Sequence, residues 1–139
     1  MAYLPIALKN RLIEADNRFC AYCQTSESNT GQPLTVDHII PQAQGGQTVF
    51  ENLCLACRRC NEFKGDTVQA QDPLTGEMVL LFHPRQQDWQ NHFQWDETGT
   101  RVVGSTVTGR VTIVALNMNN PLIVDVRRRW VSVGWHPPQ

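Results

Sequence analysis

No run of this chain approaches the roughly 18 apolar residues that a membrane-spanning helix needs, and its first residues hold no basic segment leading into an apolar stretch and a small-residue cleavage site. A cytoplasmic protein is therefore expected. Internal repeats and low-complexity segments are also missing, which excludes solenoids and disordered arrays. So is a basic excess: the formal net charge is −1, whereas a dedicated nucleic-acid-binding domain is usually basic as a whole. The charge is unevenly placed, however. Residues 1–65 balance, 66–100 are acidic by five and 101–139 are basic by four. A protein that meets a phosphate at one site needs only local positive charge, or a bound divalent cation, the largest charge in such a site.

What is present is a globular composition. Hydrophobic residues fill 41% of the 139 positions, with four Trp and five Phe. That suffices for one compact domain over 1–139 but not for two ordinary ones. Pro5 to Asp16 reads as a helix, with a proline suited to the first turn followed by Ile6, Leu8, Leu12 and Ile13. Thr25 to Pro33 is polar and contains Gly and Pro, as a loop does. Leu34 to Ile40 and Val49 to Cys57 are short strand candidates, with Gly45 and Gly46 between them. Arg58 to Lys64 suits one or two helical turns stopped by Gly65.

The middle third leans towards β structure. A turn over 71–77 precedes the apolar run Met78 to Phe82, and a hairpin turn over 95–101 precedes Val102 and Val103. Residues 110–118 fit a strand or a short helix, since Val111, Ile113 and Val114 are β-branched. Asn120-Pro121 then caps a C-terminal helix, along which Leu122, Val126, Trp130 and Val133 recur at helical spacing.

Five cysteines are an odd number, and four fall in two C-x-x-C pairs, Cys20–Cys23 and Cys57–Cys60. Each pair puts two thiolates on one tight turn, so both pairs can approach a single tetrahedral Zn²⁺ at about 2.3 Å. Such an ion would close the loop over 24–56 and act as scaffolding. Cys54 could register with Cys57 in place of Cys60. Its apolar surroundings favour a buried free thiol instead.

The segment Val36-Asp37-His38-Ile39-Ile40-Pro41, then Gly45-Gly46, Glu51-Asn52-Leu53 and Cys57-Arg58-Arg59-Cys60-Asn61-Glu62-Phe63-Lys64-Gly65, resembles the HNH endonuclease family. The likeness covers Cys20 to Gly65. The tail from Phe82 through Pro138, with Asn120-Pro121-Leu122-Ile123-Val124 and Arg127-Arg128-Arg129-Trp130-Val131, is similar to short stand-alone bacterial HNH proteins.

The resemblance implies an α+β protein, with a ββα-metal core over 20–66 stapled by zinc, an N-terminal helix, and a β-then-helix extension over 67–139. It implies an endonuclease that hydrolyses phosphodiester bonds, DNA being favoured over RNA; whether as monomer or homodimer the sequence leaves undetermined. By position, His38 is the general base, and Asp37 and Asn61 hold a divalent ion through oxygen atoms. Mg²⁺ is the first choice and Mn²⁺ the second, because Asn61 stands where other members carry His. Asn52 is expected to bind the backbone of the glycine loop with its amide and so hold His38 in position. Lys64, on the helical face of Asn61, is expected to contact a neighbouring phosphate, and Arg58 and Arg59 to contact nucleic acid.

Adjacent strand residues point to opposite faces, so Asp37 and His38 serve one phosphate only if the strand ends or bulges near His38. Pro41 and the turn at Gln44-Gly45-Gly46 are consistent with that. His83, His92 and His136 match no motif element and are expected to be structural or exposed. The run Arg127-Arg128-Arg129 fans around its helix, beside Asp125 as an ion-pair partner, and is expected to be a solvated face. The four Trp are expected in the core. The competing reading is a non-catalytic zinc-knuckle module that binds nucleic acid or protein, which has no need of the Asp37, His38, Asn61 set.

Overall fold

The computed structural model describes residues 3–138. Its first helix, α1 (Ile6–Asp16), starts at Pro5 and buries Leu12. Its last residue joins it to the rest: Asp16 accepts from the Leu55 N–H at 2.8 Å and from two Arg85 nitrogens at 2.8 and 3.0 Å. The segment over 25–33 is not all loop. It contains a single helical turn, α2 (Glu27–Thr30), which Ser26 starts by accepting the Asn29 N–H and Gly31 ends in the left-handed region.

Strands β1 (Thr35–His38) and β2 (Leu53–Ala56) pair antiparallel, with Asp37 opposite Cys54 and His38 opposite Leu53. All of β2 is buried, as its apolar run requires. It begins later than the apolar pattern suggested, because Phe50–Asn52 forms a 3-10 turn ahead of it. Helix α3 (Arg58–Lys64) follows at once and completes a strand–strand–helix unit.

The described residues beyond α3 form two hairpins and three helices. Strand β3 (Gln69–Gln71) pairs with β4 (Met78–Leu80), and β5 (Phe93–Trp95), after the single turn α4 (Trp89–His92), pairs with β6 (Val102–Gly104). The ambiguous segment is helical: α5 (Val107–Ala115) is capped by Thr106, whose side chain accepts the Gly109 N–H. Gly109 is required there, since a Cβ would lie 2.1 Å from the His92 carbonyl oxygen. Helix α6 (Pro121–Ser132) begins at Asn120, which accepts the Ile123 N–H.

Packing joins the two parts. The Trp89 indole donates to the Tyr22 carbonyl at 2.7 Å, and the rings of Phe82, Trp89, Phe93 and Trp95 lie 5.1 to 5.8 Å from their neighbours. Trp130 is buried, whereas Trp135 is 60% exposed and so departs from the expected core set. The arginine run divides as well. Arg128 and Arg129 stay on the surface and both pair with Asp125, but Arg127 is fully buried because its position on α6 turns inward.

His136 closes the C-terminal end against Trp95, with ring centroids 4.3 Å apart, and against Trp130. Burial, helped by the Arg127 charge, holds its imidazole down at about 4. The folded state therefore binds this proton less readily than the unfolded chain does. The stabilisation is fully present above the ordinary value of 6.5 and is lost as pH falls towards 4. NMR titration of the ring protons should find His136 titrating near 4, and His136→Phe should flatten the acid-side loss of stability between 6.5 and 4. A midpoint near 6.5 would contradict the buried, neutral assignment.

Candidate active site and metal centre

Two backbone turns bring four sulfurs together. Cys23 N–H donates to the Cys20 sulfur and Cys60 N–H to the Cys57 sulfur, both at 3.4 Å, and the Ala21 N–H docks the first turn on the Leu55 carbonyl at 2.8 Å. The Cys20, Cys23, Cys57 and Cys60 sulfurs lie within 4.8 Å of one another, Cys23 and Cys57 at 3.6 Å, and all are buried and free of disulfides. Tetrahedral zinc–thiolate geometry, at about 2.3 Å per bond, sets its sulfurs about 3.8 Å apart, so the donor set fits zinc in kind and in spacing. Hydrogen bonds from the other three thiols hold Cys23 well below the usual thiol range. Cys57 is also the N-cap of α3, so the second pair fixes where that helix begins.

Cys54 stands apart from this group. Its thiol is 3.9 Å from the Asp37 carboxylate, and burial, then the Asp37 charge, pushes it well up, which leaves a neutral, inert thiol.

Asp37 is 4% exposed and held by two side chains. Tyr22, inside the first cysteine pair, donates its hydroxyl at 2.7 Å, and the Lys64 ammonium reaches the two carboxylate oxygens at 3.3 and 3.2 Å. Burial raises the Asp37 carboxyl and the Lys64 charge opposes it. Lys64 itself is 2% exposed and also donates to the His38 carbonyl at 3.1 Å. It therefore does not sit on the surface where a phosphate contact was expected: the last turn of α3 points it into the sheet.

Strand β1 ends at His38, which frees that side chain from strict alternation. The following loop is braced by Asn52, whose Oδ1 accepts the Ile40 N–H at 2.8 Å while its Nδ2 donates to the Ile40 and Gln47 carbonyls. Gly46 lets the loop fold back this closely, since a Cβ would fall 1.7 Å from the Ile40 oxygen. The loop also delivers Thr48, whose hydroxyl lies 3.0 Å from His38 Nε2. On α3, Asn61 donates Nδ2 to the Thr35 hydroxyl at 2.8 Å, which leaves Oδ1 free to face a cation.

Asp37, His38 and Asn61 line one open cavity of about 280 Å³, together with Pro41, Gln42 and Asp66. Arg58 is exposed at the start of α3, whereas Arg59 is half-buried and donates to the Cys23 sulfur at 3.5 Å. Tyr22 and Thr48 were missed by sequence reasoning. Tyr22 had a signal, being a large polar aromatic inside a metal-type C-x-x-C turn. Thr48 had none.

Two substitutions test this architecture. Lys64→Met strands a buried carboxylate and should cost about 3 kcal/mol in urea unfolding, whereas a surface phosphate contact would leave stability unchanged. Asn52→Ala removes three loop hydrogen bonds and should cost about 1–3 kcal/mol. It should also broaden the His38 ring signals in NMR spectra, and unchanged signals would show that the loop holds without it.

Comparison with known proteins covers the same region. Residues 20–67 match the family model described as HNH endonuclease. The CRISPR-associated endonuclease Cas9 of Corynebacterium diphtheriae is 41% identical over 61 residues, 40% of this chain and 5% of that protein. The Septu protein PtuB of Bacillus thuringiensis is 25% identical over 114 residues, 81% of this chain and 41% of the relative. The Septu protein PtuA of Bacillus mycoides is 32% identical over 88 residues, 58% of this chain and 12% of the relative. The chain thus spans less than half the length of each of these relatives. The matched segment begins at the first knuckle cysteine and ends just past α3, and residues 20–67 are accordingly a domain of the HNH endonuclease family.

Proposed function

We propose that this protein is an endonuclease that hydrolyses phosphodiester bonds of DNA at the cavity lined by Asp37, His38 and Asn61. The observation that carries the reading is that Asp37, His38 and Asn61 line one cavity that opens to solvent. Residues 20–67 match the HNH endonuclease family model, one relative is an endonuclease by name, and DNA is taken over RNA on the family resemblance.

His38 takes the proton of the attacking water. Its Nε2 lies 3.0 Å from the Thr48 hydroxyl, and Lys64 donates to its backbone carbonyl, so the ring is held at Nε2 and the main chain that carries it is anchored. Asp37 and Asn61 would hold a divalent ion. Tyr22 and Lys64 occupy part of the carboxylate's accepting capacity but not all of it, since an ionised carboxylate offers about four lone-pair sites. With two protein oxygens as donors, the remaining positions suit water and phosphate, which is how Mg²⁺ or Mn²⁺ is commonly bound. When bound, that ion supplies charge neutralisation for the phosphate and the leaving 3′ oxygen. Zinc at Cys20, Cys23, Cys57 and Cys60 is structural in this reading, because a closed four-sulfur set leaves no open position for a substrate. Arg58, exposed at the start of α3, would meet the nucleic-acid backbone in this reading.

A plasmid-nicking assay on zinc-loaded protein tests the proposal. Nicking should require Mg²⁺ or Mn²⁺, stop with EDTA, and fall at least a hundredfold in His38→Ala, in line with the contribution of a general base. Undiminished nicking by His38→Ala overturns the assigned base. No divalent-dependent cleavage at all favours the non-catalytic zinc-knuckle binding module.

A further inference from the structure

Arg59 and Arg127 are cations without a carboxylate. Neither takes part in an ion pair among the described residues, and Arg127 has no exposed surface. One Arg127 nitrogen, Nη1, donates to the Thr100 carbonyl at 3.0 Å and to Asn119 at 3.4 Å, and the guanidinium lies 5.1 Å over the Trp95 ring. Its Nε and Nη2, and the Nε of Arg59, are buried with no hydrogen-bond partner. Orphaned guanidinium donors are costly, because the group cannot shed its charge when buried. Both answer to the same feature: Arg59 Nη2 donates to the Cys23 sulfur at 3.5 Å, and it is the Cys23 and Cys60 charges that favour the Arg127 cation against its burial.

We infer that Arg59 and Arg127 are the counter-charges of the four-cysteine metal centre, positioning residues that set its metal affinity and make α6 part of it. The inference rests on the proposed zinc reading of that site. Four thiolates around a divalent ion leave a net charge of about −2, which two guanidiniums balance in a dry interior. Sulfurs that bridge nothing else can accept the unpartnered N–H groups. The C-terminal helix then docks on the centre through its charge, so the extension senses whether metal is bound. Outer-shell hydrogen bonds of this kind orient and tune metal ligands.

The test compares full-length wild type with Arg127→Met, Arg127→Lys, Arg59→Met and Ile123→Ala, the last a packing defect in α6 that leaves charge untouched. Zinc affinity is measured by chelator competition, and the thiolate-to-metal charge-transfer band is recorded with Co²⁺ in the site. Arg127→Met and Arg59→Met should each weaken zinc binding about ten- to hundredfold and move the band to lower energy, since sulfur lone pairs relieved of hydrogen bonds are easier to ionise. Arg127→Lys should retain most of the affinity, and Ile123→Ala should leave the band in place. Equal losses in Arg127→Met and Ile123→Ala with an unmoved band overturn the inference and leave Arg127 as packing. If Arg127→Met does not fold, Arg59→Met, on a half-buried position, decides by the same two readouts. A wild type that takes up no zinc fails at an earlier step, and the zinc reading falls with it.

Discussion

Four cysteine sulfurs meeting at one point is the constraint on which the rest of this structure depends. The two strands are four residues each and the helix seven, lengths that are marginal without support. The meeting of Cys20 and Cys23 with Cys57 and Cys60 closes the intervening chain into a loop and so removes much of its unfolded freedom. It also fixes the first residue of α3, through Cys57 as cap, and therefore the place of Asn61 one residue beyond Cys60. Tyr22 carries the same constraint to Asp37 by a side chain instead of by the backbone.

Buried charge is arranged around that point in two layers. Asp37 and Lys64 form a closed pair inside the sheet–helix seam, and Asp16 and Arg85 another between α1 and the extension. Removing one member of such a pair is far more damaging than replacing both, so each pair commits the elements that supply it to one arrangement. Arg59, which donates to the Cys23 sulfur, and Arg127, with two buried guanidinium nitrogens unpartnered, form the second layer. His38 lies between these fixed features and solvent, held by a loop whose own geometry depends on Gly46 and Asn52.

Elements with local signals were legible before any coordinates. Pro5, Asn120-Pro121 and Gly65 marked helix ends, and the second cysteine pair met the first as its spacing allowed, with Cys54 left out. The ambiguity over 110–118 was real in local terms: β-branched residues sit in a helix because Thr106 caps it and the sheet beside it accepts the helix's apolar side. The inward turn of Lys64 and Arg127 was not legible, since both are long cations with partners as far as 27 residues away in sequence. Helical position places such a side chain on a face, but only tertiary packing decides whether that face meets water. Thr48 was hidden for the same reason, its contact with His38 being made by a loop that folds back on itself.

Zinc-edge X-ray absorption on the purified full chain tests the organising claim most directly, because it counts the atoms around the metal. The account predicts four sulfur neighbours at about 2.3 Å and no nitrogen or oxygen in the first shell. A mixed nitrogen and sulfur shell, or sulfurs fewer than four, would contradict it, for the two cysteine pairs would not then share one ion.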